Sequence, residues 1–435
     1  MRCEPAERVR GRVQVPGDKS ISHRALLVGG LAPGRTFLAN LGDAADVAAT
    51  VALLRAVGVE VVVRGPGEVS VFGRGRGRWS SPAGVIDCAN SGSTMRMGAG
   101  ALAGHPLQAV LDGDQSLRRR PMARVAAALE PLGAAVACQG EDGRPPLRVT
   151  GLSRLRGGVE VSPEVPSAQL KTAVLLAGLA ADGPVTVREA APTRDHTERL
   201  LRSVGLDCAT VLDGGPDGPR RIRLVPGEPE PFGLRIPGDL SSAAAFLALA
   251  AAHPRARVRC EAVGLNPGRV GLLEVLRSMG AAVEVEAAAA ASGEPAGTVT
   301  VGSAGLRAVT VGGSLVPRAI DELPLVAVLA TQAEGTTVVR DATELRVKET
   351  DRIAAMTEGL RAMGATVEGT EDGWVITGPT RLRGALVGSL GDHRIAMALA
   401  VAACLADGPT TIEGADCVAV SFPGFFQTLG ALVQG

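Results

Sequence analysis

The stretch "VPGDKSISHRALL", residues 15–27, has a near-copy at residues 236–249, "IPGDLSSAAAFLAL". Both keep Pro-Gly-Asp followed by a hydroxyl residue and an apolar run, the pattern of a turn, an Asp N-cap and a buried helix. Only the first copy carries Lys19, His23 and Arg24. The second copy shows what the frame needs for structure alone. The three charged or titratable residues of the first are therefore read as additions that line a site.

A repeat extends outward from this pair. A helical segment closed by glycine and followed by a short alternating strand recurs six times, as in "VALLRAVGVEVVV", "LLEVLRSMGAAVEV" and "MTEGLRAMGATVEG". The closing glycines are Gly58, Gly133, Gly205, Gly280, Gly364 and Gly430, roughly seventy residues apart. Each stands where a helix C-terminus calls for a left-handed residue. Ahead of each lies an Ala/Leu/Gly-rich helix that is apolar nearly all round, such as "AVLLAGLAADGPVTV" and "AMALAVAACLADGPTT", which reads as buried within protein. The fold class is α/β: two similar domains, each of three repeated units of strands and two helices around buried helices. The expected division is residues 1–17 with 238–435 as one domain and 18–237 as the other, crossed at the two Pro-Gly-Asp frames, with the active site in the cleft between them.

Composition narrows the function. The chain has 435 residues, 46% of them hydrophobic, and Lys plus Arg equals Asp plus Glu at 45 each. No global field points to nucleic acid or an anionic membrane. Aromatics make up only 2% of the chain, too few for a base-stacking surface. The seven cysteines are scattered with no metal spacing, and read as reduced thiols. The opening "MRCEPAERVRGRV" has no apolar core of a signal peptide, and no apolar run reaches the length of a bilayer span. The expectation is a soluble, cytoplasmic protein.

Polar residues that break the repeat gather at two places. At the starts of the first helices stand Lys19, Ser20, His23 and Arg24; Asn90, Ser91, Gly92, Ser93 and Arg96; Ser167 and Gln169; Asp321 and Glu322; and Asp392, His393 and Arg394. Before the second helices stand Arg118, Arg119 and Arg120, then Thr193 and Arg194, then Lys348, Glu349 and Arg352. Taken singly, each reads as an N-cap or a solvated charge. In a repeat architecture they fall on one face of each domain, where helix N-termini add unpaired N–H groups. Such a face holds phosphate and carboxylate, so the substrate is a small anion. Asp321 and Glu349 cannot attract anions, and proton transfer is their natural role.

The motifs "VPGDKSISHRALL", "NSGSTMR", "GDQSLRRRPM", "SAQLKTAVLLAGL", "TRDHTE", "RVKETDR", "GDHRIAMA" and "SFPGFF" occur in the order found in the 5-enolpyruvylshikimate-3-phosphate synthase family, which this chain resembles over nearly its whole length. The resemblance implies the enolpyruvyl transferase inside-out barrel, two substrates, shikimate 3-phosphate and phosphoenolpyruvate, no metal and no organic cofactor, and a monomer. It places Lys19, Ser20, Arg24, Ser167, Ala168, Gln169, Thr193, Arg194, Asp321 and Lys348 on shikimate 3-phosphate. It places Lys19, Asn90, Gly92, Arg120, Gln169, Arg352 and Arg394 on phosphoenolpyruvate. Asp321, Glu349, Lys19 and His393 are the implied catalytic group.

Two departures stand out. Many members have Ser-Ser-Gln where this chain has Ser167-Ala168-Gln169, so one phosphate hydroxyl is lost and Arg194 is the candidate to compensate. Some have Lys where this chain has Val420. The nearest rival, the UDP-N-acetylglucosamine enolpyruvyl transferases, characteristically carries a reactive Cys in the loop that here reads "DGDQSLRRRPM", which has none. A non-catalytic repeat protein binding RNA or other polyanions is disfavoured by zero net charge and the scarcity of aromatics.

Overall fold

A helix made of Ala, Leu, Val and Gly has no polar face, so it can be stable only where other elements cover it on every side. The computed structural model, which describes residues 1–213, 215, 218–291 and 293–433, shows this at each repeat. Every residue of Lys19–Leu31 after Ser20 is buried, as is every residue of Leu240–Ala252 except the last. Within His393–Cys404 only Arg394 escapes full burial. Contacts divide the chain into a central unit, Gly17–Pro237 with Ala290–Glu294, and a terminal unit of Met1–Pro16, Gly238–Ala289 and Pro295–Gly435. Each has its own hydrophobic core.

The central unit contains three four-stranded sheets of one design. In the second repeat, Ile86–Asp87 pairs in parallel with Gln108–Asp112 across the helix Gly92–Ala103. Gln108–Asp112 then pairs antiparallel with Leu147–Thr150, which pairs with Ala135–Cys138. Val159–Val161, Val185–Glu189, Arg220–Leu224 and Cys208–Leu212 repeat the arrangement around the helix Ala168–Gly178. The first repeat begins directly with its helix and has no strand of its own ahead of it. Its parallel partner is Gly233–Arg235, from the far end of the unit, against Pro33–Ala39.

The terminal unit has the same arrangement and the same displaced strand. Its first repeat opens with the helix Leu240–Ala252, and the parallel partner of Ala256–Gly264 is Val9–Val13. Pro-Gly-Asp thus follows a strand that stays in one unit and precedes a helix that belongs to the other. Inside the central unit the Asp18 amide donates to Pro237 O (2.8 Å), and inside the terminal unit the Asp239 amide donates to Pro16 O (2.8 Å). Both aspartates also cap their helices, on the amides of Ile21 and Ser241. Gly17 groups with the central unit rather than ending the other domain as expected, because its backbone packs on Asn40. A Cβ there would stand 1.8 Å from Asn40 O. The turn at Ala290–Glu294 also groups with the central unit, where Gly293 O accepts from Arg199 Nη1 (3.0 Å).

Five of the six closing glycines adopt the expected positive φ, between 80° at Gly133 and 92° at Gly280. Gly430 does not; it lies inside the helix Phe425–Leu432. The sixth repeat has no closing hairpin, and its sheet is completed by the N-terminal strand Arg2–Cys3 beside Thr410–Glu413. All seven cysteines are free thiols, and no helix among the described residues is long and apolar enough to cross a membrane.

His23, expected in the site lining, belongs to the core. The helix turn that exposes Lys19 carries position 23 inward, where Nδ1 lies 2.7 Å from Thr50 Oγ1. Burial, only partly offset by Asp46, pushes its pKa from 6.5 down to about 3. A neutral buried histidine gives stability that is present above pH 6.5 and is lost as pH falls toward 3, because the unfolded chain takes the proton first. The unfolding free energy of His23→Gln should therefore fall less steeply than that of wild type between pH 7 and 4, the slopes differing by up to about 1.4 kcal/mol per pH unit. Parallel pH profiles would contradict this. A second expectation concerns the terminal frame: Leu240 is 2% exposed. Leu240→Lys would bury an unpaired ammonium at a cost of several kcal/mol and lower the calorimetric midpoint by on the order of 10 °C.

Candidate active site

With their bodies enclosed, the first helices offer only their N-terminal turns to polar chemistry. In the central unit three of these turns are tied together. Arg24, 3% exposed, donates from Nε to Thr197 Oγ1 (2.8 Å), from Nη2 to Thr172 Oγ1 (2.9 Å) and to Ala168 O (3.4 Å), and from Nη1 to Ser20 O (2.8 Å). It joins the starts of Lys19–Leu31 and Ala168–Gly178. Burial pulls its pKa down to about 10, with Glu198 acting in the opposite direction and Arg194 adding to the fall. Gln169 links the other pair of helices, donating from Nε2 to Ser93 Oγ (2.9 Å) and accepting from Arg96 Nη1 (2.8 Å). Ser167 caps its own helix on the Leu170 amide (3.4 Å).

The remaining expected residues of this unit fall around these turns. Lys19 Nζ donates to Asp46 Oδ2 (2.8 Å). Arg120 Nη2 donates to Asn90 Oδ1 (2.7 Å), and Asn90 Nδ2 to Asp114 Oδ2 (2.8 Å). Gly92 opens its helix beside two guanidinium groups: a Cβ there would stand 3.0 Å from Arg96 Nη1 and 3.4 Å from Arg120 Nη1. Thr193 Oγ1 donates to Glu189, whose other oxygen receives Lys171 Nζ (3.1 Å) in a buried pair. Arg118 is held instead at the sheet end by Asp112 (Nε to Oδ1, 2.9 Å) and contributes nothing to this cluster.

The terminal unit presents a different surface, in which carboxylates and guanidiniums alternate. Arg352, 2% exposed, lies at its centre. Its Nε donates to Asp392 Oδ2 (2.8 Å), its Nη2 to Glu349 Oε2 (2.7 Å), and its Nη1 stands 3.6 Å from Asp321 Oδ1. Burial works against the charged form, but Asp392, Glu349 and Asp321 outweigh it and raise the pKa of Arg352. Asp392 also caps its helix by accepting from the Arg394 amide (2.8 Å), and Arg394 Nη1 donates to Ser241 O (3.2 Å). Arg269 donates to Asp239 Oδ1 (3.0 Å), Ser241 Oγ (2.7 Å) and Asp321 Oδ2 (3.4 Å). Glu322 is fully buried, which raises its pKa against the influence of Arg269, and it accepts from Ser241 Oγ. His393 is buried at the start of its helix, while Lys348 and Val420 are half-buried.

The arrangement brings Asp321, Glu349, Arg352 and Arg394 into one network in the terminal unit. In the central unit it gathers Lys19, Arg24, Ala168 and Gln169, with Asn90, Gly92 and Arg120 around the neighbouring turn. Sequence reasoning passed over Asp46, Thr172, Thr197, Asp392 as an arginine holder, and Arg269. Arg269 stands just before a second helix, the position already marked by Arg118–Arg120 and Lys348–Arg352 in other repeats.

Similarity to known proteins accords with this geometry. The chain matches the family described as EPSP synthase (3-phosphoshikimate 1-carboxyvinyltransferase) over residues 3–429. It is 47% identical over 434 residues to the 3-phosphoshikimate 1-carboxyvinyltransferase of Chloroflexus aurantiacus, covering 98% of this chain and 97% of that protein. The solved EPSP synthase of Acinetobacter baumannii superimposes with a TM-score of 0.88 at 39% identity, covering 99% of this chain and 97% of that one. The enolpyruvyl transferase NikO of Streptomyces tendae shares the fold, with a TM-score of 0.75 at 18% identity over 99% of this chain and 96% of that one. The full-length match at this identity, on an α/β fold of repeated units, means that the chain belongs to the EPSP synthase family.

Proposed function

We propose that this chain is an enzyme that transfers the enolpyruvyl group of phosphoenolpyruvate to the 5-hydroxyl of shikimate 3-phosphate, releasing inorganic phosphate, in the biosynthesis of aromatic compounds. The observation that carries the reading beyond family membership is Arg352. A single buried guanidinium gathers three carboxylates: the buried Asp392, and the partly exposed Asp321 and Glu349, beside further cations. Asp392 already holds and neutralises Arg352, so the two further, partly exposed acids have a use beyond positioning it.

The chemistry assigns each a task. Glu349 delivers a proton to the methylene carbon of phosphoenolpyruvate, which makes C2 electrophilic. The 5-hydroxyl oxygen adds to C2 and its proton passes to Asp321. In the second half the methyl carbon returns its proton to Glu349, the C2–O bond to phosphate breaks with the bonding electron pair leaving on phosphate, and the vinyl ether forms. The hydroxyl proton held by Asp321 passes to the departing phosphate, so both acids end the cycle as they began it. Lys19, Asn90, Gly92, Gln169, Arg120, Arg352 and Arg394 serve phosphoenolpyruvate in this scheme. Lys19, Ser20, Arg24, Ser167, Ala168, Gln169, Thr193, Arg194, Asp321 and Lys348 serve shikimate 3-phosphate. His393, at the start of the Arg394 helix, completes the catalytic group. The cations offset the repulsion of two polyanions, and holding those anions in register accounts for much of the rate. The same reading makes the enzyme a cytoplasmic monomer acting on small molecules, with no organic or metal cofactor and no nucleic-acid or membrane partner, in keeping with its zero net charge.

Phosphate release measured with both substrates, and with each omitted in turn, tests the reaction. Release should require both, and release from phosphoenolpyruvate alone would overturn the assignment. Asp321→Asn and Glu349→Gln should lower kcat by about 10² to 10⁴-fold with shikimate 3-phosphate binding retained. Lys19→Met keeps the side-chain length and removes only the charge, so turnover should be lost at an unchanged thermal midpoint. An active Lys19→Met protein would return that residue to a structural role.

A further inference from the structure

The second Pro-Gly-Asp frame lacks the charges of the first, yet it is not chemically idle. Its helix start holds a guanidinium that arrives from another segment. Arg269 lies in the connection between Ala256–Gly264 and the helix Gly271–Ser278, and its side chain is 5% exposed. The backbone there is braced, with Asn266 Oδ1 accepting from the Gly268 amide (2.9 Å) and Asn266 O from the Arg269 amide (2.8 Å). From this support the guanidinium reaches two residues of the frame, Asp239 and Ser241, with Nη2, and Asp321 with Nη1.

We propose that Arg269 is a positioning residue for Asp321, holding one carboxylate oxygen while Arg352 addresses the other. Arg269 Nη1 is 3.4 Å from Oδ2 and Arg352 Nη1 is 3.6 Å from Oδ1. A hydrogen bond from Arg269 on one oxygen and the ionic contact of Arg352 on the other bias the rotation of the carboxylate about its Cβ–Cγ bond, and that rotation decides which lone pair faces an incoming hydroxyl proton. Arg352 cannot do this alone, because its shorter contacts go to Asp392 and Glu349. Glu322 does not compete for Arg269 as an anion, since burial keeps its carboxyl toward the neutral form. It is engaged by the Ser241 hydroxyl, whose oxygen in turn accepts from Arg269. Asp239 keeps Arg269 in place while capping the frame's helix on the Ser241 amide (2.8 Å). The uncharged copy of the frame thereby supplies the seat of the residue that aims Asp321.

The inference rests on Asp321 being the group that receives the hydroxyl proton, and a double-mutant cycle separates the two claims. Arg269→Gln, Asp321→Asn and the double variant are assayed for kcat at saturating substrates, with shikimate 3-phosphate affinity followed by calorimetry. Arg269→Gln alone should lower kcat about tenfold to a hundredfold, the scale of a misaimed catalytic group, with affinity within threefold of wild type. In the Asp321→Asn background the same change should cost less than twofold, because the group it aims is already gone. Arg269→Lys, which keeps the charge but not the planar fork, should recover part of the loss, and its cycle with Asp321→Asn serves equally should Arg269→Gln fail to fold. An equal loss of kcat in both backgrounds, or a lowered thermal midpoint with kcat retained, would overturn the role of Arg269 and leave that of Asp321 standing. Wild-type kcat in Asp321→Asn itself would remove both.

Discussion

A helix covered on every side can meet solvent or substrate only at its ends, and this constraint organises the molecule. The Ala-, Leu- and Gly-rich helices cannot present polar faces, so the polar chemistry of each repeat is pushed to a single turn of about four residues. There the unpaired amides already favour anions. The second helices and their preceding loops supply the side chains that surround these turns, such as Arg120, Thr193, Arg269 and Arg352. Each repeat thus contributes one helix start and one loop, and the sequence between them is free to serve packing.

The two units use this arrangement differently. In the central unit, hydroxyls, amides and backbone carbonyls dominate the contacts of Arg24 and Gln169, while Lys19 pairs with the carboxylate of Asp46. In the terminal unit, guanidiniums are interleaved with carboxylates, and Arg352 is neutralised within its own network. A surface of cations among neutral groups and a surface of interleaved cations and carboxylates are thereby made from equivalent positions of one repeat.

Much of this was legible in the chain. The apolar helices, five of the left-handed glycines and the N-caps Asp18, Ser91, Ser167, Asp239 and Asp392 follow from local rules that act within a few residues. The failures were of three kinds. His23 shares a helix turn with Lys19 and Arg24, and only three-dimensional packing says that position 23 points at Thr50 rather than outward. Arg269 went unread because its partners, Asp239 and Asp321, are distant in the chain, and only its place before a second helix, shared with Arg118–Arg120 and Arg352, could have pointed to it. Gly430 failed for a third reason: it is taken up inside the helix Phe425–Leu432, and the sheet of its repeat borrows Arg2–Cys3 instead.

The displaced strands have a consequence for synthesis. Val9–Val13 is made before its partner, Ala256–Gly264, which follows roughly 240 residues later, and at about 5–20 residues per second this is a wait of tens of seconds. Arg2–Cys3 waits longer still, for Thr410–Glu413. The three sheets of the central unit, whose borrowed strand Gly233–Arg235 precedes Ala256–Gly264, can be complete by then. During that interval the nascent N-terminal segment is an unpaired strand with valines on its inward side, a template for association between neighbouring chains. Arg8, Arg10 and Arg12 alternate with those valines and give the waiting segment three like charges. Charge repulsion of this kind keeps a strand soluble until its proper edge exists.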